Sequence, residues 1–294
     1  MSAAAPWGRP SPRLRRRKAV NLMMEALATV AALIAVALLG TVIVSVLRRG
    51  LPAISLDFFT KAPAGFGATG GGLANAFAGS LVIVAVAALM ALPVGVLTAL
   101  YLSEFAPKRL EQTIRLALDV LNGIPSIVIG IFVFGILVLS HQQSGLAGSF
   151  ALAIIMLPLI ARSTQEVLRV VPETLREASY ALGISRWRTV VGIILPASIG
   201  GIMTGTMLAV ARAAGETAPL LFTSSLTAPF VTWDPRQPLQ SVPLTIFELS
   251  ESPDPLDHAR AWAAALTLIG FVLFASLLSR ALLARSRRKL GQVG

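Results

Sequence analysis

Apolar residues in this chain gather into long runs separated by shorter polar stretches, and the length of the runs says more than any period within them. Six stand out: Leu22 to Leu47, Phe77 to Tyr101, Leu118 to Leu139, Ser149 to Ile160, Val190 to Ala214 and Ala261 to Leu283. A helix needs roughly 20 apolar residues to cross the hydrocarbon core of a bilayer. The pattern predicts an all-α, polytopic helical membrane protein with six transmembrane helices. The fourth run is short and is expected to continue as helix beyond its apolar end, through Arg162, Gln165 and Arg169. Pro93 is expected to kink the second helix. The third begins with Asn122-Gly-Ile-Pro-Ser126, an irregular spot in an apolar helix. Backbone groups freed there must find partners inside the protein or beside water. Two readings stay open: a simple proline kink, or a lining in which Asn122 and Ser126 border a transport pathway.

The connection between the fourth and fifth runs is different in kind. From Glu177 to Pro196 it reads EASYALGISRWRTVVGIILP, mixed polar and apolar, and it predicts two short amphipathic helices broken at Gly183. Leu175, Ala178, Ser179 and Leu182 form one helical face; Glu173, Arg176, Glu177 and Tyr180 fall opposite. Pro172 suits a first turn and Gly183 the left-handed residue that ends a helix. Ser185 can cap the second helix, which carries Arg186, Trp187 and Arg188 toward the membrane. A segment of this kind suits a soluble partner's grip. A helix-turn-helix reading of Ala-x-x-x-Gly-Ile-Ser fails, because the second helix runs into apolar sequence and cannot lie free in a groove.

Composition sharpens the class. The chain is 55% hydrophobic and only 13% charged, about half the charge of a typical soluble domain. It has no cysteine, which removes disulfides, thiol catalysis and cysteine metal sites, and its two histidines, His141 and His258, lie outside the runs. No Gly-Lys-Ser/Thr occurs, so any ATP must be bound by another subunit. The stretch Gly-Phe-Gly-Ala-Thr-Gly at 65–70 formally matches a dinucleotide fingerprint but lacks a βαβ frame, and is read as an extracytoplasmic loop. No cofactor is expected.

The net charge of +11 is a matter of placement. Of the 25 Lys and Arg, 19 fall on the side of the two termini and the loop at 162–188. That asymmetry places both termini and this loop in the cytoplasm, beside anionic membrane lipid, and accounts for the basic balance without nucleic acid. Residues 1–21 are expected as a disordered basic tail, 22–284 as the six-span domain with coupling helices at about 172–189, and 285–294 as a basic tail. The first run is too long for a cleaved signal and is read as an anchor.

One basic residue is counted on neither side of the membrane. Arg212 sits near the end of the fifth run, four residues before Glu216. A charge at membrane depth is costly unless it meets a partner or water. Three readings compete: a structural ion pair with Glu216, an arginine that snorkels to the interface, or a pathway for an anion. Arginine's planar fork suits a tetrahedral oxyanion. Glu216 can accept the proton-bearing oxygen of hydrogen phosphate, which sulfate lacks, or neutralise Arg212 between passages. Gly215 would allow close backbone approach, and Pro219 would end or bend the helix.

Two resemblances attach to these residues. Glu177, Ala178, Ser179, Gly183, Ile193, Leu195 and Pro196 resemble the EAA loop of permease subunits in binding-protein-dependent ABC importers, with Ser179 in place of an alanine. That resemblance implies a type I ABC importer permease (MetI-like) fold, with the loop, including Arg186 and Arg188, docked on a cytoplasmic ATPase. The segment Arg212 to Phe222, with Asn122 to Gly130, resembles the phosphate-specific permeases, most closely the PstA type. What this implies is a PstC-like permease partner, two copies of a PstB-like ATPase, an extracytoplasmic phosphate-binding protein, and inorganic phosphate passing by Arg212 and Glu216. Bond-making chemistry would then lie on the ATPase, not on this chain. Another oxyanion (phosphonate, molybdate, sulfate) and a passive anion channel are the rivals.

Overall fold

The structure is a computed structural model and describes residues 12–63 and 70–290. The Gly-rich stretch at 65–70 lies almost wholly outside these residues, as do 1–11 and 291–294. The chain divides into two compact units, 1–49 and 50–294. The described residues of the first form one long helix, α1 (Pro12–Gly50), whose last residue falls in the second unit. It starts well before Leu22, so residues 12–21, expected as part of a disordered tail, are helical.

In the second unit a short α2 (Leu56–Thr60) precedes α3 (Ala74–Glu104), which runs through Pro93 as one helix. Next come α4 (Lys108–Gly123) and α5 (Ser126–Val133), the latter prolonged by a π-turn at Phe134–Val138. Then follow α6 (Gly145–Val170), α7 (Glu173–Ala181), α8 (Arg186–Thr189), a second π-turn at Val190–Ile194, and α9 (Leu195–Ala213). The chain closes with α10 (Ala218–Thr223), α11 (Val242–Glu251) and α12 (Pro255–Leu290). The last of these absorbs residues 285–290 of the expected tail.

Among the described residues, five helical stretches are long and apolar enough to cross a bilayer: Pro12–Ala53, Ala74–Glu104, Gly145–Val170, Arg186–Ala213 and Pro255–Ala281. The third expected crossing is different. The helices at Lys108–Gly123 and Ser126–Val138 meet at 96°, and six crossings are reached only if this bent pair is one. Pro125 is the cause: it offers no N–H and pushes the preceding residue out of the helical region, and Ile124 is extended at φ −70°, ψ 130°. The polar residues Lys108, Arg109, Glu111 and Arg115, between the second and third apolar runs, form the first turns of the amphipathic α4.

The core is built around α6. Its apolar window is 67% buried, against 28% for α3 and for the Arg186–Ala213 stretch, and 22% for α12. It packs on α3, α4, α5, α9 and α10. Ile83, Leu152, Met156, Ile160 and Leu220 are fully enclosed there. Small residues allow the close approach that membrane helices rely on. On α9, a Cβ at Gly201 would sit 2.5 Å from Val167, and one at Gly205 would sit 2.2 Å from Ser163. This seam fixes the helix that carries Arg212. The π-turn below it follows from Pro196, which cannot donate to Gly192; the Leu195 N–H instead reaches Val190, five residues back.

Candidate functional site

Arg212 lies in the last turn of α9. The helix does not continue through Gly215 as one rod. A tight turn replaces it, with the Gly215 N–H donating to the Arg212 carbonyl at 3.0 Å and Glu216 N–H to Ala213 at 3.1 Å. The turn still brings the two charges together, with Arg212 Nε 3.9 Å from Glu216 Oε1. That is ionic contact outside hydrogen-bond reach. The arginine side chain is 53% exposed and the glutamate 18%. Among the described residues nothing hydrogen-bonds the Arg212 guanidinium.

The break between α4 and α5 faces this pair. Asn122, Ser126, Arg212 and Glu216 line one cavity of about 180 Å³, with Ile124, Ile129 and Ile155 as its apolar walls. It holds several times the roughly 30 Å³ share of one water. Nearby, α5 packs closely on α10: a Cβ on Gly130 would lie 2.6 Å from Pro219 Cα. Pro219 itself opens α10 in its first turn. Four of the five residues read as pathway candidates therefore meet at one point. Gly215 does not line the cavity, and a Cβ there would meet only the Arg212 carbonyl at 3.6 Å, so no neighbour among the described residues demands a glycine.

The second cluster lies at the opposite end of α9. α7 ends in paired hydrogen bonds, Gly183 N–H to Tyr180 at 2.9 Å and Ile184 N–H to Ser179 at 3.0 Å, with Gly183 at φ +73°. This is the left-handed helix stop expected of Gly183, and only glycine takes it without strain. Ser185 occupies the N-cap position of α8, but its side chain makes no capping bond. Of the expected docking residues, Ser179 is buried, while Glu177, Ala178, Arg186 and Arg188 are exposed. The expected small-residue face is split: Ser179 turns into the chain, whereas Leu175 and Leu182 are exposed, as are Tyr180 and Trp187 on neighbouring turns.

What anchors this segment is a pair that sequence reasoning missed. Arg176 in α7 donates to Glu104, the last residue of α3, at 2.9 Å. It also donates to the Leu168 and Val171 carbonyls at 3.1 and 3.0 Å, and to Glu173 at 3.1 Å. Only 12% of the Arg176 side chain and 4% of Glu104 remain exposed. Burial works against the charged guanidinium, but the hydrogen bond and charge of Glu104, then those of Glu173, outweigh it and hold its pKa above the ordinary arginine value. Beside this pair, Phe105 receives Arg186 over its ring at 5.4 Å and Trp187 at 6.3 Å. The residues are 72 apart in sequence and each looks like an ordinary loop charge. The one usable signal was the amphipathic repeat placing Arg176 opposite the apolar face.

The fold is thus a bundle of long apolar helices with an exposed amphipathic connector before α9 and a cavity lined by charged residues after it. The chain belongs to the family of binding-protein-dependent transport system inner membrane components, which matches residues 91–288. Among its relatives is the phosphate transport system permease protein PstA of Yersinia pestis, 41% identical over 248 residues, 84% of each chain. The PstA of Haemophilus influenzae is 39% identical over 266 residues, covering 90% of this chain and 94% of that one. In fold it is similar to a chain of the inward-facing MetNI methionine ABC transporter, with TM-score 0.61 at 15% identity, covering 73% of this chain and 95% of that one.

Proposed function

We propose that this chain is the translocating subunit of an ATP-driven importer of inorganic phosphate. In this reading it pairs with a PstC-like permease, two PstB-like ATPases and an extracytoplasmic phosphate-binding protein, in the plasma (inner) membrane, with both termini in the cytoplasm. ATP hydrolysis belongs to the separate ATPase. The observation that carries the reading is the convergence of Asn122, Ser126, Arg212 and Glu216 on one cavity. Relatives named as phosphate permeases support the choice of anion.

The guanidinium of Arg212 has donors to spare and keeps its charge at any relevant pH. Asn122 and Ser126 add neutral hydrogen-bonding groups across the cavity. Glu216, close by, competes for the arginine and keeps anion binding weak enough for release. At the other end of α9, the exposed Leu175, Leu182 and Trp187 offer an apolar surface to the ATPase. Movement there reaches the membrane without a flexible joint, because α8 continues through the π-turn into α9.

The test is radiolabelled uptake in cells with and without this chain, with phosphate set against sulfate and molybdate. Uptake that depends on the chain and is competed by phosphate alone agrees with the reading. Chain-dependent uptake of another oxyanion would reassign the substrate, and uptake that persists without ATP would make the chain a passive channel.

A further inference from the structure

The α4 and α6 helices that border the Arg212 cavity carry a second set of charges farther along. On α4, Glu111, Arg115, Asp119 and Asn122 follow at intervals of four, four and three, so they share one face. On α6, Ile155, Arg162 and Arg169 follow at intervals of seven and also share a face. The two helices pack on each other. Asn122 and Ile155 line the cavity. From that end the seam carries an ion pair between Arg162 and Asp119. Beyond it Glu111 meets Arg115 at 2.5 Å and Arg169 at 3.8 Å. Arg162 lies seven residues past Ile155, about 10 Å along the helix axis.

The Arg162–Asp119 pair is not built as a strut. Its side chains are 47% and 39% exposed, against 12% and 4% for Arg176 and Glu104. A half-exposed pair is weakly held, and its partner can be exchanged. We propose that Arg162 is a second anion station on the cytoplasmic side of the Arg212 cavity, where a small tetrahedral oxyanion displaces Asp119 on its way out. Asp119 then returns to the guanidinium and expels the anion, so the site never holds its cargo tightly. This proposal rests on the reading of the Arg212 cavity as the pathway.

The test uses the assembled importer in inverted membrane vesicles, with the other subunits freed of reactive thiols. This chain has no cysteine of its own, so Asp119→Cys gives a single reporter beside Arg162. Inorganic phosphate should slow labelling of that thiol severalfold, and adding Arg162→Gln should remove the protection. In uptake, Arg162→Gln should fall at least tenfold with the ATPase still copurifying, and Arg162→Lys should recover part of it. Absence of phosphate protection, or normal uptake by Arg162→Gln, overturns the station. Arg212→Gln, run alongside, separates the two ideas: its normal uptake would remove the pathway itself, whereas its loss with a normal Arg162→Gln removes only the second station.

Discussion

Two of the chain's arginine–glutamate pairs, Arg176–Glu104 and Arg212–Glu216, differ in every respect except composition. Arg176 and Glu104 are buried at 2.9 Å, and both terminal nitrogens of the arginine also bond carbonyls or a second carboxylate. Arg212 and Glu216 stand 3.9 Å apart, the arginine half-exposed and without a hydrogen bond among the described residues. A buried pair bonded in this way is a structural joint, because any exchange of partner strands a charge. An unsaturated pair beside a cavity keeps its donors for something else. The same two residue types thus form a fastening at one end of α9 and, in the proposed function, an anion site at the other.

Substitutions can break this contrast. The largest effect is expected for Arg212→Ala, which should abolish phosphate uptake while the ATPase still copurifies with the membrane subunits. Next is Arg176→Ala, which leaves Glu104 buried and unpaired at a cost of about 3–5 kcal/mol. It should release α7 from α3 and lower uptake together with ATPase copurification, readable as reduced yield of assembled complex. A smaller loss is expected for Gly183→Val. A branched side chain at φ +73° strains the turn by about 1–3 kcal/mol, so ATP hydrolysis should continue with less phosphate moved per ATP.

The smallest effect concerns the segment after α10. Glu248 is pushed above the ordinary carboxylate range by burial, opposed by its hydrogen bond from Gln240 and reinforced by the charge of Asp257. A carboxyl with a raised pKa in the folded chain binds more protons there than when unfolded. Its contribution therefore favours the fold as pH falls through the window just above the ordinary value, and weakens it as pH rises. Glu248→Gln should flatten that part of the stability–pH curve, measured as thermal unfolding of the purified complex.

Much of this contrast was legible beforehand, but unevenly. Arg212 stood out because a charge inside an apolar run is expensive, and Asn122 to Ser126 because a Gly and a Pro interrupt a helix. Their meeting in one cavity depends on the 96° bend, which no local pattern reports. The bend within the run Leu118 to Leu139 was not legible, because hydropathy does not register the direction of the chain at Pro125. Gly183 was readable because a left-handed helix stop is a local requirement. Glu104 and Arg176 were not, since a partner 72 residues away leaves no trace in spacing. The helical start at Pro12 was also hidden, because its basic residues resemble a solvated tail.

The central claim is that α9 joins a fastening point to an anion site, and one paired measurement tests it most directly. In proteoliposomes holding the whole importer, phosphate uptake and ATP hydrolysis are recorded for Arg212→Ala and Arg176→Ala at equal membrane content of the chain. The account predicts that Arg212→Ala hydrolyses ATP without moving phosphate, while Arg176→Ala loses both activities through failed docking. Phosphate moving at the normal rate past Arg212→Ala would contradict it.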